Sequence, residues 1–180
     1  MGGAYAVLGK AKWMCDLVAN FNGPVQAMII CGKDHKLYSS LDSLVQEARN
    51  PVVRFEFVNN VDELMSIADI IITKAGGLTV SESLTKQLPL IVFKPIPGQE
   101  EDNAEYIEEI GAGRIARTDH DLIRILGELI TNPQKITKMR NAAAQALPRH
   151  SAEKAVNSIL ELARDSADHR NISIALSSIC

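Results

Sequence analysis

Asp69-Ile70-Ile71-Ile72-Thr73-Lys74-Ala75-Gly76-Gly77-Leu78-Thr79-Val80-Ser81-Glu82 is the stretch whose reading decides the fold. Its opening run, Asp69 to Thr73, has the length and β-branched content of a buried parallel strand, and Val80 to Lys86 has helical spacing. The glycine pair between them makes the unit a strand, a turn and a helix start. Adjacent glycines let a backbone approach a ligand with no Cβ in the way, and the first amides of a helix have no intrahelical partner. Those amides, at the positive end of the helix dipole, favour phosphate. Thr79 and Glu82 stand at capping-box spacing, which leaves two roles open for Glu82. It either folds back onto the Thr79 amide or accepts hydrogen bonds from a ribose diol in the crevice.

Working outward, the same alternation repeats. A glycine-rich opening, Met1 to Gly9, enters a helix over Lys10 to Asn20. Strands are expected at Val25 to Cys31, Val52 to Phe57, Leu90 to Phe93 and Gly113 to Ala116. Helices are expected at Lys36 to Arg49, Val61 to Ala68 and Ala104 to Ile110, then at Asp119 to Ile130, Pro133 to Leu147 and Ser151 to Arg164. The proline-bearing loop Lys94 to Asn103 separates the fourth strand from its helix, because Pro95 and Pro97 fix φ. Strands alternating with helices predict an α/β fold, a Rossmann-like parallel sheet with helices on both faces. Such sheets bind ligands beyond the carboxyl ends of their strands, where Gly2-Gly3, Val58-Asn59, Gly76-Gly77 and Pro97 to Glu101 would converge.

Composition excludes several classes. The 180 residues suit one domain with a real core, and 46% hydrophobic with 23% charged residues is a soluble globular balance. A net charge of -3 gives no electrostatic case for nucleic acid as a partner. No apolar run approaches the roughly 20 residues that span a bilayer, and no secretory leader is evident. Cys15, Cys31 and Cys180 are widely spaced and fit reduced thiols, and His35, His120, His150 and His169 lack metal-ligand spacing. An NAD-type dinucleotide domain is disfavoured, since no Gly-x-Gly-x-x-Gly follows a strand.

The glycine turn, followed by Pro95-Ile96-Pro97-Gly98-Gln99-Glu100-Glu101-Asp102-Asn103-Ala104, resembles glycosyltransferase family 28. The likeness is greatest to monogalactosyldiacylglycerol synthases and processive diacylglycerol glucosyltransferases. It covers about residues 1 to 165, a sugar-nucleotide-binding domain followed by a tail over 166–180, and corresponds to the C-terminal half of a two-domain GT-B enzyme. The resemblance implies that Glu82 holds the ribose hydroxyls and that Gly76, Gly77, Leu78 and Thr79 cradle the diphosphate of a UDP-sugar. Gly2 and Gly3 would form a facing glycine loop, and the Phe57-Val58 backbone would edge the uracil. Gln99, Glu100 and Asn103 would bind the donor sugar. Lys74 and Lys94 read as solvated lysines and are left out of the site.

By the same resemblance the chain is the donor half of an inverting hexosyltransferase acting on a lipid, diacylglycerol, without a metal or other cofactor. The acceptor-binding N-terminal domain and its general base would lie outside this chain, so no catalytic residue is assigned within it. The strand expected before the first glycine loop is also absent, leaving strand edges that favour self-association. Cytoplasmic location with peripheral membrane contact follows for the whole enzyme. Two alternatives remain: N-acetylglucosaminyl transfer to a peptidoglycan lipid precursor, which the Pro97-Gly98-Gln99-Glu100 loop disfavours, and a non-catalytic nucleotide-sugar-binding subunit.

Overall fold

Leu90 to Phe93 carries four apolar residues in a row with no polar alternation, and all four are buried. Ile91 and Phe93 belong to a cluster with Leu122, Ile125, Leu126, Leu129 and Met139 from two later helices. By the two-residue period of a strand, Leu90 and Val92 face the opposite side, which is equally closed to water. Completely burying one such side chain contributes about 1.5–3 kcal/mol, so this strand is the centre of the core.

The computed structural model of the chain describes residues 8–146 and 153–164. In order these form α1 (Leu8–Ala19), β1 (Ala27–Ile30), α2 (His35–Ser40), α3 (Asp42–Glu47), β2 (Val52–Phe55), α4 (Val61–Ile67), β3 (Ile71–Thr73) and α5 (Gly77–Thr85). There follow β4 (Leu90–Phe93), α6 (Gln99–Glu109), β5 (Gly113–Ala116), α7 (Asp119–Thr131) and α8 (Pro133–Ala146). A further helix, α9, covers residues 153–164. The chain divides into two units, Met1–Ala146 and Leu147–Cys180, and α9 belongs to the second. The Gly2-Gly3 loop and the tail over 166–180 lie outside the described residues.

Every strand pairing is parallel, as the α/β reading requires, but the sheet is in two pieces, β1-β2 and β3-β4-β5. Helix α1 lies against both. Trp13, Met14, Leu17 and Val18 pack on the cluster over β4, whereas Cys15 and Ala19 join Cys31, Leu41 and Leu44 beside β1. Trp13 stacks on Phe93, with centroids 6.0 Å apart. Cys15 and Cys31 are free thiols, and burial, then proximity to Cys31, pushes Cys15 up to about 12. At the start of β5, Gly113 sits where a Cβ would lie 2.3 Å from Ile107 and 2.7 Å from the Leu90 carbonyl, so only glycine lets α6 close on the sheet.

Several element limits shift by one or two residues from the sequence reading, among them those of β1, β2 and β3, and three differences are larger. The helix expected over Lys36 to Arg49 breaks at Leu41, which is completely buried between α2 and α3; Ser39 and Ser40 are weak helix formers and Leu41 turns inward there. Helix α5 starts at Gly77, with Gly76 as its N-cap, so Thr79 is inside the helix and the Thr79–Glu82 capping box does not form. Helix α6 starts at Gln99 rather than Ala104. Gly98 has φ 100°, a conformation that suits glycine, and it turns the chain directly from Pro97 into a helix whose first turn holds Glu100, Glu101 and Asp102.

Candidate functional site

The chemistry-bearing loops follow from the parallel pairing: within each sheet every strand delivers its carboxyl end to the same rim. β3 ends at Thr73, and Lys74-Ala75-Gly76 carries the chain into α5. Gly76 is extended, with φ -65° and ψ 138°, and its carbonyl accepts from the Val80 amide at 3.0 Å. That bond leaves the amides of Gly77, Leu78 and Thr79 with no acceptor among the described residues, at the positive end of a nine-residue helix.

The two glycines are not explained by the backbone. The dihedrals of Gly76 are open to any residue, and a Cβ there would meet nothing within 4 Å. A Cβ on Gly77 would touch only the Gln99 Nε2, at 4.0 Å. Neither strain nor crowding from the described residues requires glycine, so what remains is room above three donors unpaired among them.

The β4 loop closes on the same place. Asn103 donates from Nδ2 to the Ala75 carbonyl at 2.8 Å, tying the second turn of α6 to the glycine turn. Glu100 accepts from the Ile96 amide at 3.2 Å and lies 3.9 Å from Lys74 Nζ. The turn and the Gln99 helix start therefore open onto one side of the molecule. Gln99 is exposed beside Gly77. The Asn103 Nδ2 is committed to Ala75, which leaves its Oδ1 as the available acceptor, and one Glu100 oxygen is engaged in holding the proline loop.

Glu82 lies one turn further along α5, exposed, and its carboxylate has no hydrogen-bond or ion-pair partner among the described residues. The buried residues of α5 are Val80, Ser83 and Leu84, so Glu82 is on its outer side. Phe57 and Val58 lie beyond the carboxyl end of β2, in the other sheet piece. Phe57 is exposed with Lys33 Nζ 5.5 Å from its ring centre, which links the loops after β1 and β2. Gly2 and Gly3 fall outside the described residues.

Sequence reasoning passed over Lys74. Its side chain is only 21% exposed and its ammonium faces Glu100 beside the glycine turn, so it is not a solvated lysine. Its position between a strand's carboxyl end and a glycine turn was the available signal. Lys94 adopts φ 47° at the end of β4 and pairs with Asp119. Among the described residues no group of His, Cys, Asp and Glu is arranged to hold a metal ion, and no helix is long and apolar enough to cross a membrane.

A parallel α/β domain with a glycine turn on its carboxyl rim is of the doubly wound class, and a helix N-terminus at that rim is a place where anions are generally favoured. The chain belongs to glycosyltransferase family 28: residues 5–160 match the model of the family's C-terminal domain. It is 34% identical over 174 residues to a processive diacylglycerol beta-glucosyltransferase of Bacillus cereus (strain G9842), covering 97% of this chain and 44% of that one. It is 31% identical over 161 residues to the protein of the same name from Bacillus pumilus (strain SAFR-032), covering 89% of this chain and 42% of that one. The chain thus spans less than half the length of these relatives. Among solved structures, MurG of Acinetobacter baumannii superposes with a TM-score of 0.73 at 23% identity, over 88% of this chain and 47% of MurG. That likeness establishes the GT-B C-terminal fold.

Proposed function

We propose that this chain binds a UDP-sugar and forms the donor half of an inverting glycosyltransferase that moves a hexose onto a lipid acceptor, diacylglycerol. The observation that carries the reading is the Gly76-Gly77 pair, which leaves open the space above the free Gly77, Leu78 and Thr79 amides. Amides and a helix dipole can hold a diphosphate and meet the charge that develops on a departing UDP, with no divalent ion required in principle. Lys74 adds a cation beside that cradle. Glu82, unpartnered on the outer side of α5, is suited to a ribose diol, because a carboxylate accepts two hydroxyl donors at once. Gln99, Glu100 and the Oδ1 of Asn103 supply donors and acceptors for a hexose, and the Phe57-Val58 backbone edges the uracil. Gly2 and Gly3 are assigned to the opposing loop.

In this reading the acceptor hydroxyl attacks the anomeric carbon, a base outside this chain takes its proton, and UDP leaves into the cradle. Diacylglycerol is favoured over a peptidoglycan lipid by the names of the sequence relatives. A non-catalytic binding subunit would show the same donor affinity without transfer. Calorimetric titration of the 180-residue chain with UDP, UDP-glucose, UDP-galactose and UDP-N-acetylglucosamine tests the donor. UDP binding with a preference for one hexose supports the reading, and no response to any of the four refutes it. Incubation with the preferred donor and diacylglycerol is expected to yield no glycolipid from this chain alone.

A further inference from the structure

β5 begins at Gly113, which pairs with the first residue of β4, so the start of β5 lies on the amino rim of its sheet, opposite the glycine turn that follows β3. On that rim α6, β5, α7 and α8 enclose an open cavity of about 230 Å³. Its inner wall is apolar. Leu129 of α7 and Met139 of α8 are buried there, and Gly111 and Gly113 add no side chain. Lys135 and Lys138 stand with Met139 at helical spacing, so both lysines share the face of α8 that lines the cavity. Arg114 of β5, Glu108 of α6 and Glu128 of α7 complete the mouth.

The charges there do not cancel. Arg114, Lys135 and Lys138 face Glu108 and Glu128, a local positive excess on a chain whose net charge is -3. Glu128 is shared three ways, held most closely by Lys135, with Arg124 Nη1 at 3.8 Å and Arg114 Nη1 at 3.7 Å. Arg114 Nε is 3.8 Å from Glu108. Both Arg114 separations exceed the roughly 2.7–3.2 Å of an N–H···O bond, so its guanidinium is attracted by two carboxylates and hydrogen-bonded to neither. Five N–H donors in a planar fork therefore stand uncommitted at the cavity mouth. Lys138 is exposed and has no hydrogen-bond or ion-pair partner among the described residues. A fork and a separate ammonium match the three terminal oxygens of a phosphate better than the two of a carboxylate. The volume is below the about 300–1,000 Å³ of a drug-sized pocket, which leaves room for a phosphate and a short carbon body.

We propose that this cavity binds the phosphate group of a small phosphate monoester. Arg114 grips two of its oxygens, Lys138 meets the third, and Leu129 and Met139 take its carbon body. The site is on the rim opposite the donor cradle and does not rest on the nucleotide reading. The test titrates the isotope-labelled 180-residue chain with glycerol 3-phosphate and with glycerol, following backbone amide shifts. Glycerol 3-phosphate should give saturable shifts at Gly111, Gly113 and Lys138, and glycerol none. Sedimentation with phosphatidylcholine vesicles, plain or carrying phosphatidic acid, identifies the source: retention only by phosphatidic acid makes it a lipid headgroup, and no retention beside saturable shifts makes it a free monoester. Arg114→Gln and Lys138→Gln should each weaken glycerol 3-phosphate about tenfold or more, by loss of a charge-assisted contact. Lys138 has no described partner, so its variant should melt with the parent chain. Shifts confined to Gly77, Leu78 and Thr79, no saturable shift, or full affinity in both variants overturns the proposal.

Discussion

Substituting Gly77 by alanine separates a glycine kept for a ligand from one kept for the fold. In the protein the new methyl group would meet a single atom, the Gln99 Nε2 at 4.0 Å, an ordinary contact with the end of a flexible side chain. Gly77 is the first residue of α5, so alanine there is compatible with the backbone and restricts the unfolded chain more than glycine does. Stability should rise by about 0.4–1 kcal/mol, or roughly 1–4 °C in Tm for a chain of this size. The same methyl group occupies the space over the Gly77, Leu78 and Thr79 amides. Pushing a diphosphate away from two charge-assisted hydrogen bonds costs about 3 kcal/mol or more, a loss in UDP affinity of roughly a hundredfold. Thermal melts and calorimetric titration with UDP on one preparation give both numbers. Unchanged affinity would remove the diphosphate from this turn, and a Tm lowered by several degrees would show that the fold needs the glycine.

Glu82→Ala should leave the melting temperature nearly unchanged, since the residue is exposed and its carboxylate has no hydrogen-bond or ion-pair partner among the described residues, yet weaken UDP by roughly 1–3 kcal/mol; calorimetry showing full affinity would return Glu82 to the solvent. Asn103→Ala removes the bond to Ala75 and should cost about 0.5–1.5 kcal/mol of stability. It should also weaken a UDP-hexose more than UDP, and an equal loss for both would place the sugar elsewhere. Asp121 is held below its ordinary 3.8 by its Thr118 capping bonds, and Glu128 below its ordinary 4.5 chiefly by Lys135. Both depressed carboxylates therefore contribute stability that is present above pH 4.5 and lost as pH falls through their folded values. Melts of Glu128→Gln should depend less on pH below 4.5 than those of the parent chain.

Much of this was legible in residue pattern. The uninterrupted apolar run of β4 and the β-branched run before Gly76 declared themselves as parallel strands, and Gly113 to Ala116 was placed with its observed limits. The helix starts were harder to read. Glycine, proline and acidic residues can belong equally to a loop or a first helical turn, and the local signal at Thr79 pointed to a cap the chain does not use. At Gly98 the deciding variable is a positive φ, which the helix composition does not encode. The site was half legible for a similar reason. The glycine turn announced an anion, but the tie from Asn103 to Ala75 spans 28 residues, and Lys74 looked like any surface lysine until the fold turned it toward Glu100.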